Sequence, residues 1–218
     1  MRYFKFREAR FVKQNFSAIV LAGGQSSRMG QPKAELKFQG TTLLDRILGE
    51  LRSAFDEIVV VAAPRGLDVS EKSVRLIRDE REYEGPLQAL ARGLDAIRND
   101  AAFVCSCDLP LLKSGVAQAL CAMLDHHDAV IPEIGGLAQP LHAVYRKRCV
   151  GVIGEMIARG EKRLTRISGS ISARTVTESE LRKIDADLHS FLNVNTPEDY
   201  GRAIAISRRL PPLVQGED

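Results

Sequence analysis

Ser17-Ala18-Ile19-Val20-Leu21-Ala22-Gly23-Gly24-Gln25-Ser26-Ser27-Arg28-Met29-Gly30-Gln31-Pro32-Lys33 is the stretch on which the reading of this chain turns. A short apolar run, the signal of a first buried strand, empties into glycine, serine, arginine and lysine. Glycine lets backbone N–H groups come close to an anion. Arg28 supplies a planar fork of donors and Lys33 a mobile point charge. The loop therefore suits the phosphates of a nucleotide. It is neither of the two common phosphate motifs. Gly24 and Gly30 are too far apart for Gly-x4-Gly-Lys-Ser/Thr, and the adjacent glycines do not form Gly-x-Gly-x-x-Gly.

Beyond this loop the pattern alternates strand and helix. Continuous apolar runs at Ile58-Val59-Val60-Val61 and 101–107 read as buried strands, with shorter strands at 73–78, 128–131, 140–145, 173–176 and 191–194. Helical stripes occupy 41–54, 85–97, 114–124, 149–158, 162–167 and 197–208. Apolar strands separated by helices imply an α/β fold, with a mainly parallel sheet covered on both faces in a single three-layer domain. In such sheets ligands bind beyond the carboxyl ends of the strands. Both the first loop and Asp108 are expected there. Residues 1–16 read as an N-terminal extension, 17–209 as the domain and 210–218 as a loose tail.

Composition narrows the function. A net charge of +3 over 218 residues is small, and part of it lies in the first sixteen residues. With no nucleic-acid-binding signature, it points to no nucleic-acid partner. No apolar run has the length of a membrane span, and the first residues lack the apolar core of a secretory signal, so a cytoplasmic location is expected. Cys105-x-Cys107 lacks the second close pair of a zinc site, so the four cysteines are expected as buried or half-buried thiols.

Asp108 follows Phe103-Val104-Cys105-Ser106-Cys107 at the end of a buried strand. A single rigidly placed carboxylate suits Mg²⁺, which takes few protein oxygens and completes its shell with water and phosphate. An aspartate that merely starts the turn Asp108-Leu109-Pro110 is the competing reading.

Five motifs carry a resemblance. They are Leu21-Ala22-Gly23-Gly24-x-Ser-Ser-Arg28-Met29-Gly30-x-x-Lys33, Gly85-Pro86-Leu87, Cys107-Asp108-Leu109-Pro110, Gln139-Pro140-Leu141, and Phe191-Leu192-Asn193-Val194-Asn195-Thr196-Pro197-Glu198-Asp199. In order and spacing they resemble the MobA-like nucleotidyltransferases, and within them the molybdenum cofactor guanylyltransferases, over roughly residues 17–205. The resemblance implies a GT-A-like, Rossmann-like domain and Mg²⁺-dependent transfer of GMP from GTP to the terminal phosphate of molybdopterin, with release of pyrophosphate. It implies catalytic roles for Lys33, Arg28 and Asp108, with Asp108 also holding the metal. Nucleotide contacts would come from Leu21, Ala22, Gly23, Gly24, Lys33, Asp79, Gly85, Pro86 and Asp108. Acceptor contacts would come from Gln139, Arg163, Asn193 and Asn195. Transient contacts with molybdoenzymes or with other proteins of cofactor biosynthesis would follow.

Several of these positions keep a second reading. Asp79 sits in Arg78-Asp79-Glu80-Arg81-Glu82 and could be a solvated acid. Asn195 could serve the cap of the helix that starts at Pro197, and Arg163 could be a surface charge. Ala62 departs from the resemblance, which often has asparagine at this strand end, so the base is less firmly indicated than the reaction. A cytidylyltransferase or sugar-phosphate nucleotidyltransferase of the same superfamily is the alternative enzyme, although such relatives tend to show Leu-Ala-Ala-Gly at the first loop. A non-catalytic nucleotide or cofactor carrier is the alternative of another class.

Overall fold

The computed structural model describes residues 15–23, 33–69, 73–81 and 84–209. Strand β1 (Ser17–Leu21) leads, after a 3₁₀ turn at Lys33–Glu35, into a two-stranded hairpin of β2 (Lys37–Phe38) and β3 (Thr41–Thr42). Then come α1 (Leu43–Arg52), β4 (Ile58–Ala62), β5 (Val74–Arg78), α2 (Pro86–Ala96), β6 (Ala101–Ser106) and α3 (Ser114–Ala122). The second half holds β7 (Ala129–Ile134), β8 (Leu137–Ala138), β9 (His142–Arg146), α4 (Cys149–Ala158), β10 (Ala173–Val176), α5 (Glu178–Leu181) and α6 (Pro197–Ser207).

The main sheet has the order β10-β7-β9-β6-β1-β4-β5, with β8 paired to β7. β6, β1, β4 and β5 run parallel. β9 is antiparallel to both β6 and β7, and β10 is parallel to β7. The α/β architecture and mainly parallel sheet are as the sequence implied. Side chains alternate faces along a strand, and each central strand feeds two cores. Ala18 and Val20, Ile58 and Val60, and Phe103 and Cys105 join α1 and α3 on one face. Ile19 and Leu21, Val59 and Val61, and Ala102 and Val104 join α2 and α4 on the other. All four cysteines are buried.

Two local features set the site. α2 lies so close to β1 that a Cβ on Gly93 would stand 2.7 Å from Ile19 Cγ2. α6 packs Ala203 into a third, smaller core with Phe38, Leu43, Leu111 and Val194, which brings this helix back to the turn after β6.

The structure corrects two assignments. Residues 191–194 form no strand; a 3₁₀ turn at His189–Phe191 precedes an extended segment. Among the described residues the segment makes one long-range backbone bond, Val194 N–H to Asp108 O (2.9 Å), and Phe191 is spent stacking on His142 at 4.0 Å between ring centroids. The stretch 162–167 is not an α-helix but runs into a 3₁₀ turn at Leu164–Gly169. The expected extension and tail lie largely outside the described residues.

Candidate active site

The site forms where β1, β4 and β6 end side by side. Ala22 N–H donates to Val61 O (2.8 Å), and Cys107 N–H donates to Leu21 O (3.1 Å). Leu21, Ala22 and Gly23 therefore enter the first loop pinned between the ends of two parallel neighbours. Gly24 and Arg28 lie outside the described residues.

Lys33 returns from that loop to this point. Its Nζ lies 2.8 Å from Asp108 Oδ2, with the two side chains 20% and 13% exposed. Lys33 Nζ also donates to Asn195 Oδ1. Three residues from three distant stretches thus meet at one ammonium group. Asp108 is held from two further sides. Ser106 Oγ donates to Asp108 Oδ1, and the Asp108 carbonyl accepts from Val194 N–H. Arg46 on α1 fastens the following turn, donating from Nε to Pro110 O (2.5 Å). The Asp108 side chain is engaged by Lys33 and Ser106, and the following turn closes from Leu112 N–H to Leu109 O (3.1 Å).

Asn195 likewise does two things. Thr196 caps α6, with Asp199 N–H donating to Thr196 Oγ1 (3.1 Å). Asp199 Oδ2 accepts in return from the N–H groups of Thr196 (2.9 Å) and Asn195 (3.0 Å). This reciprocal capping box fixes the backbone from which the Asn195 amide reaches Lys33.

A second cluster lies at the ends of β4 and β5. Asp79 N–H donates to Ala62 O (2.8 Å), and Asp79 Oδ2 lies 3.4 Å from where a Cβ on Gly23 would be. Asp79 is no solvated acid: its side chain is 9% exposed and Oδ1 accepts from Arg92 Nη1 at 2.9 Å. Burial pushes its carboxyl above the ordinary aspartate range, against the pull of Arg92. Gly85 precedes α2 at φ +98°, a conformation that favours glycine, and Pro86 takes the first helical position.

The residues assigned to an acceptor are more scattered. Gln139 donates from Nε2 to Leu137 O (3.1 Å) and lines a cavity of about 230 Å³ with Leu188, Phe191, Leu192, Arg202 and Ile206. Asn193 is exposed. Arg163 is 66% exposed and pairs with Glu161 at 3.3 Å, which matches its reading as a surface charge.

Ser106, Arg46 and Arg92 were not singled out in the sequence. Ser106 had one signal, a polar residue ending an apolar strand. Arg46 and Arg92 act across 64 and 13 positions, respectively, and no local spacing marks them.

Asp108 offers a single carboxylate, whose Oδ1 carries the Ser106 hydroxyl and whose Oδ2 shares the Lys33 ammonium with the Asn195 amide oxygen. Among the described residues no three His, Cys, Asp or Glu side chains gather as a metal cage. A single carboxylate fits a hard cation that takes most of its ligands from water and phosphate, and it does not fit zinc. Among the described residues no helix is long and apolar enough to cross a membrane.

Residues 18–176 match the family model of the MobA-like NTP transferase domain. A molybdenum cofactor guanylyltransferase of Desulfosudis oleivorans is 35% identical over 191 residues, covering 87% of this chain and 94% of that protein. A probable molybdenum cofactor guanylyltransferase of Methanosarcina acetivorans is 38% identical over 197 residues, covering 84% and 87%. Among solved structures, the molybdopterin-guanine dinucleotide biosynthesis protein A of Archaeoglobus fulgidus superposes with a TM-score of 0.77 at 25% identity, covering 89% of this chain and all of that one. The 2-C-methyl-D-erythritol 4-phosphate cytidylyltransferase of Thermus thermophilus, at 16% identity, a TM-score of 0.66, and coverage of 88% and 99%, shares the fold.

Proposed function

We propose, from the fact that this chain belongs to the MobA-like NTP transferase family and is a nucleotidyltransferase, that it transfers GMP from GTP to the terminal phosphate of molybdopterin. Pyrophosphate is the leaving group and the guanine dinucleotide form of the cofactor the product. The observation that carries this reading is the meeting of Lys33, Asp108 and Asn195 at the carboxyl ends of β1 and β6. That is where ligands of such sheets bind.

The residues suit the reaction. Phosphoryl-type transfer needs positioning and charge neutralisation more than a protein nucleophile. The acceptor phosphate is already anionic, so no general base is required, and the site contains no Ser-His-Asp or Cys-His set among the described residues. Asp108 is the residue that would hold Mg²⁺, together with phosphate oxygens. When bound, Mg²⁺ supplies charge neutralisation on those oxygens. Lys33 places one positive charge where charge develops on the departing pyrophosphate, and Arg28 is assigned to the same task. Leu21, Ala22, Gly23, Gly24, Gly85 and Pro86 offer backbone to the nucleotide. Asp79 accepts from the guanine N1–H and exocyclic amine, a donor pair that adenine lacks. Gln139, Asn193, Asn195 and Arg163 are assigned to the pterin and its phosphate. The proposal includes a cytoplasmic setting and transient contacts with molybdoenzymes or cofactor-biosynthesis proteins that receive the product.

The test is pyrophosphate release by the full chain with Mg²⁺ and molybdopterin, from each of the four NTPs. GTP is expected to turn over fastest. Equal or faster turnover of CTP overturns the guanine assignment, and tight nucleotide binding without any turnover supports the carrier reading instead.

A further inference from the structure

Arg92 is the one basic side chain to which Asp79, Glu80 and Glu84 all turn among the described residues. Its Nη1 lies 2.9 Å from Asp79 Oδ1 and also donates to Glu84, while Nη2 stands 3.7 Å from Glu80 Oε1. Arg92 is 22% exposed and both Asp79 and Glu84 are 9% exposed. It projects from α2, which is anchored in the core by Leu87, Leu90 and Leu94. A guanidinium fork on a rigid helix fixes carboxylates in direction as well as in charge. The two oxygens of Asp79 are thereby divided. Oδ1 is held by Arg92, and Oδ2 is turned toward Gly23 of the nucleotide loop.

We propose that Arg92 is a positioning residue that sets guanine selectivity by holding Asp79 ionised and aimed at the base; this deepens, and rests on, the guanylyl reading above. Guanine presents two adjacent donors, N1–H and the exocyclic amine, which an ionised carboxylate accepts together. Cytosine and adenine each present a donor beside an acceptor, and a carboxylate satisfies only half of that edge. A protonated Asp79 would instead present a donor to a donor. Two influences push Asp79 toward protonation: its burial and the neighbouring Glu84 carboxylate. Arg92 opposes both, and its hydrogen bond and charge hold Glu84 below the ordinary glutamate range. Without Arg92, Glu84 keeps the exposed Arg81 at 3.3 Å, whereas Asp79 loses its hydrogen bond and its counter-charge and shifts toward protonation.

Calorimetric binding of GTP and of CTP to the full chain with Mg²⁺, from about pH 5.5 to about pH 8.5, tests this on wild type, Arg92→Lys and Arg92→Met. Arg92→Met is expected to bind GTP about tenfold more weakly, with CTP unchanged and the GTP deficit growing as the pH falls. Arg92→Lys recovers part of the loss, because it keeps the charge without the fork. Parallel loss of both nucleotides, or loss of neither, overturns the proposal, since a merely structural arginine gives one of those results. Equal binding of GTP and CTP by wild type also overturns it. Glu84→Gln gives a reading that does not depend on Arg92→Met folding. It removes a charge that raises the Asp79 carboxyl, so the acid loss of GTP binding must move to lower pH, and no movement contradicts the account. GTP-selective binding that tracks Arg92 without transfer to molybdopterin sinks the proposed activity alone.

Discussion

His142 is a buried histidine with neither ring nitrogen partnered. It is 2% exposed, lies edge-on to Phe103 at 5.3 Å and stacks on Phe191 at 4.0 Å between ring centroids. Burial pushes its pKa down to about 3, against the nearby Asp185 carboxylate, which raises it. Above the unfolded value of about 6.5 the ring is neutral in both states and its titration adds no cost; as the pH falls below it, only the unfolded chain takes the proton. Stability is therefore lost at roughly 1.4 kcal/mol per pH unit, down toward the folded value. His142→Leu removes two unsatisfied nitrogens at similar volume. It is expected to raise stability by about 1–2 kcal/mol at neutral pH, with a larger gain at pH 5, read by denaturant unfolding at both values. An equal or lower stability at pH 5 contradicts this. A histidine on a strand is more often packed or at the surface than catalytic, and His142 is packed. The sequence did not mark Arg92 or Arg46, whose partners lie across the fold. Lys33 and Asp108 were legible for the opposite reason, since each stands where a strand or loop of distinctive composition ends.

At the scale of elements, the helix–sheet contact at α2 is the tightest constraint on the nucleotide side. A Cβ at Gly93 would meet Ile19 Cγ2 at 2.7 Å and Val61 Cγ2 at 3.3 Å, below ordinary contact. Ile19 and Val61 belong to the strands whose ends carry the first loop and Ala62. Gly93→Ala therefore overpacks the face and pushes α2, with Gly85 and Arg92, away from β1. It is expected to cost about 1–3 kcal/mol, and to weaken GTP binding in a thermal-shift titration. Unchanged stability means the helix can move freely and contradicts the fixed placement of Arg92. Strands β1, β4 and β6 were readable as continuous apolar runs, and helices α1, α2 and α3 as helical stripes between them. The 191–194 segment misled because three of its four residues, Phe191, Leu192 and Val194, are apolar. Their burial is spent on His142 and on α6 rather than on a ladder. The antiparallel course of β9 leaves no trace in local pattern, since strand direction depends on how distant segments pair.

At the scale of the whole molecule, the fold gathers three stretches that the chain keeps far apart: the first loop, the end of β6 and the cap of α6. The third core exists because Ala203 and Val194 pack on Phe38, Leu43 and Leu111, and that packing delivers Asn195 to Lys33. The fold is shared with a cytidylyltransferase, so architecture alone does not choose the base, and in the function proposed above that choice falls to Asp79. The central claim is that the Lys33–Asp108–Asn195 cluster is the transfer site. The most direct measurement compares wild type with Asp108→Ala, following pyrophosphate release from GTP with Mg²⁺ and molybdopterin, and GTP binding on the same samples. Turnover is expected to fall by at least about 10²–10³-fold, with GTP binding weakened far less. Near-normal turnover in Asp108→Ala would contradict the account.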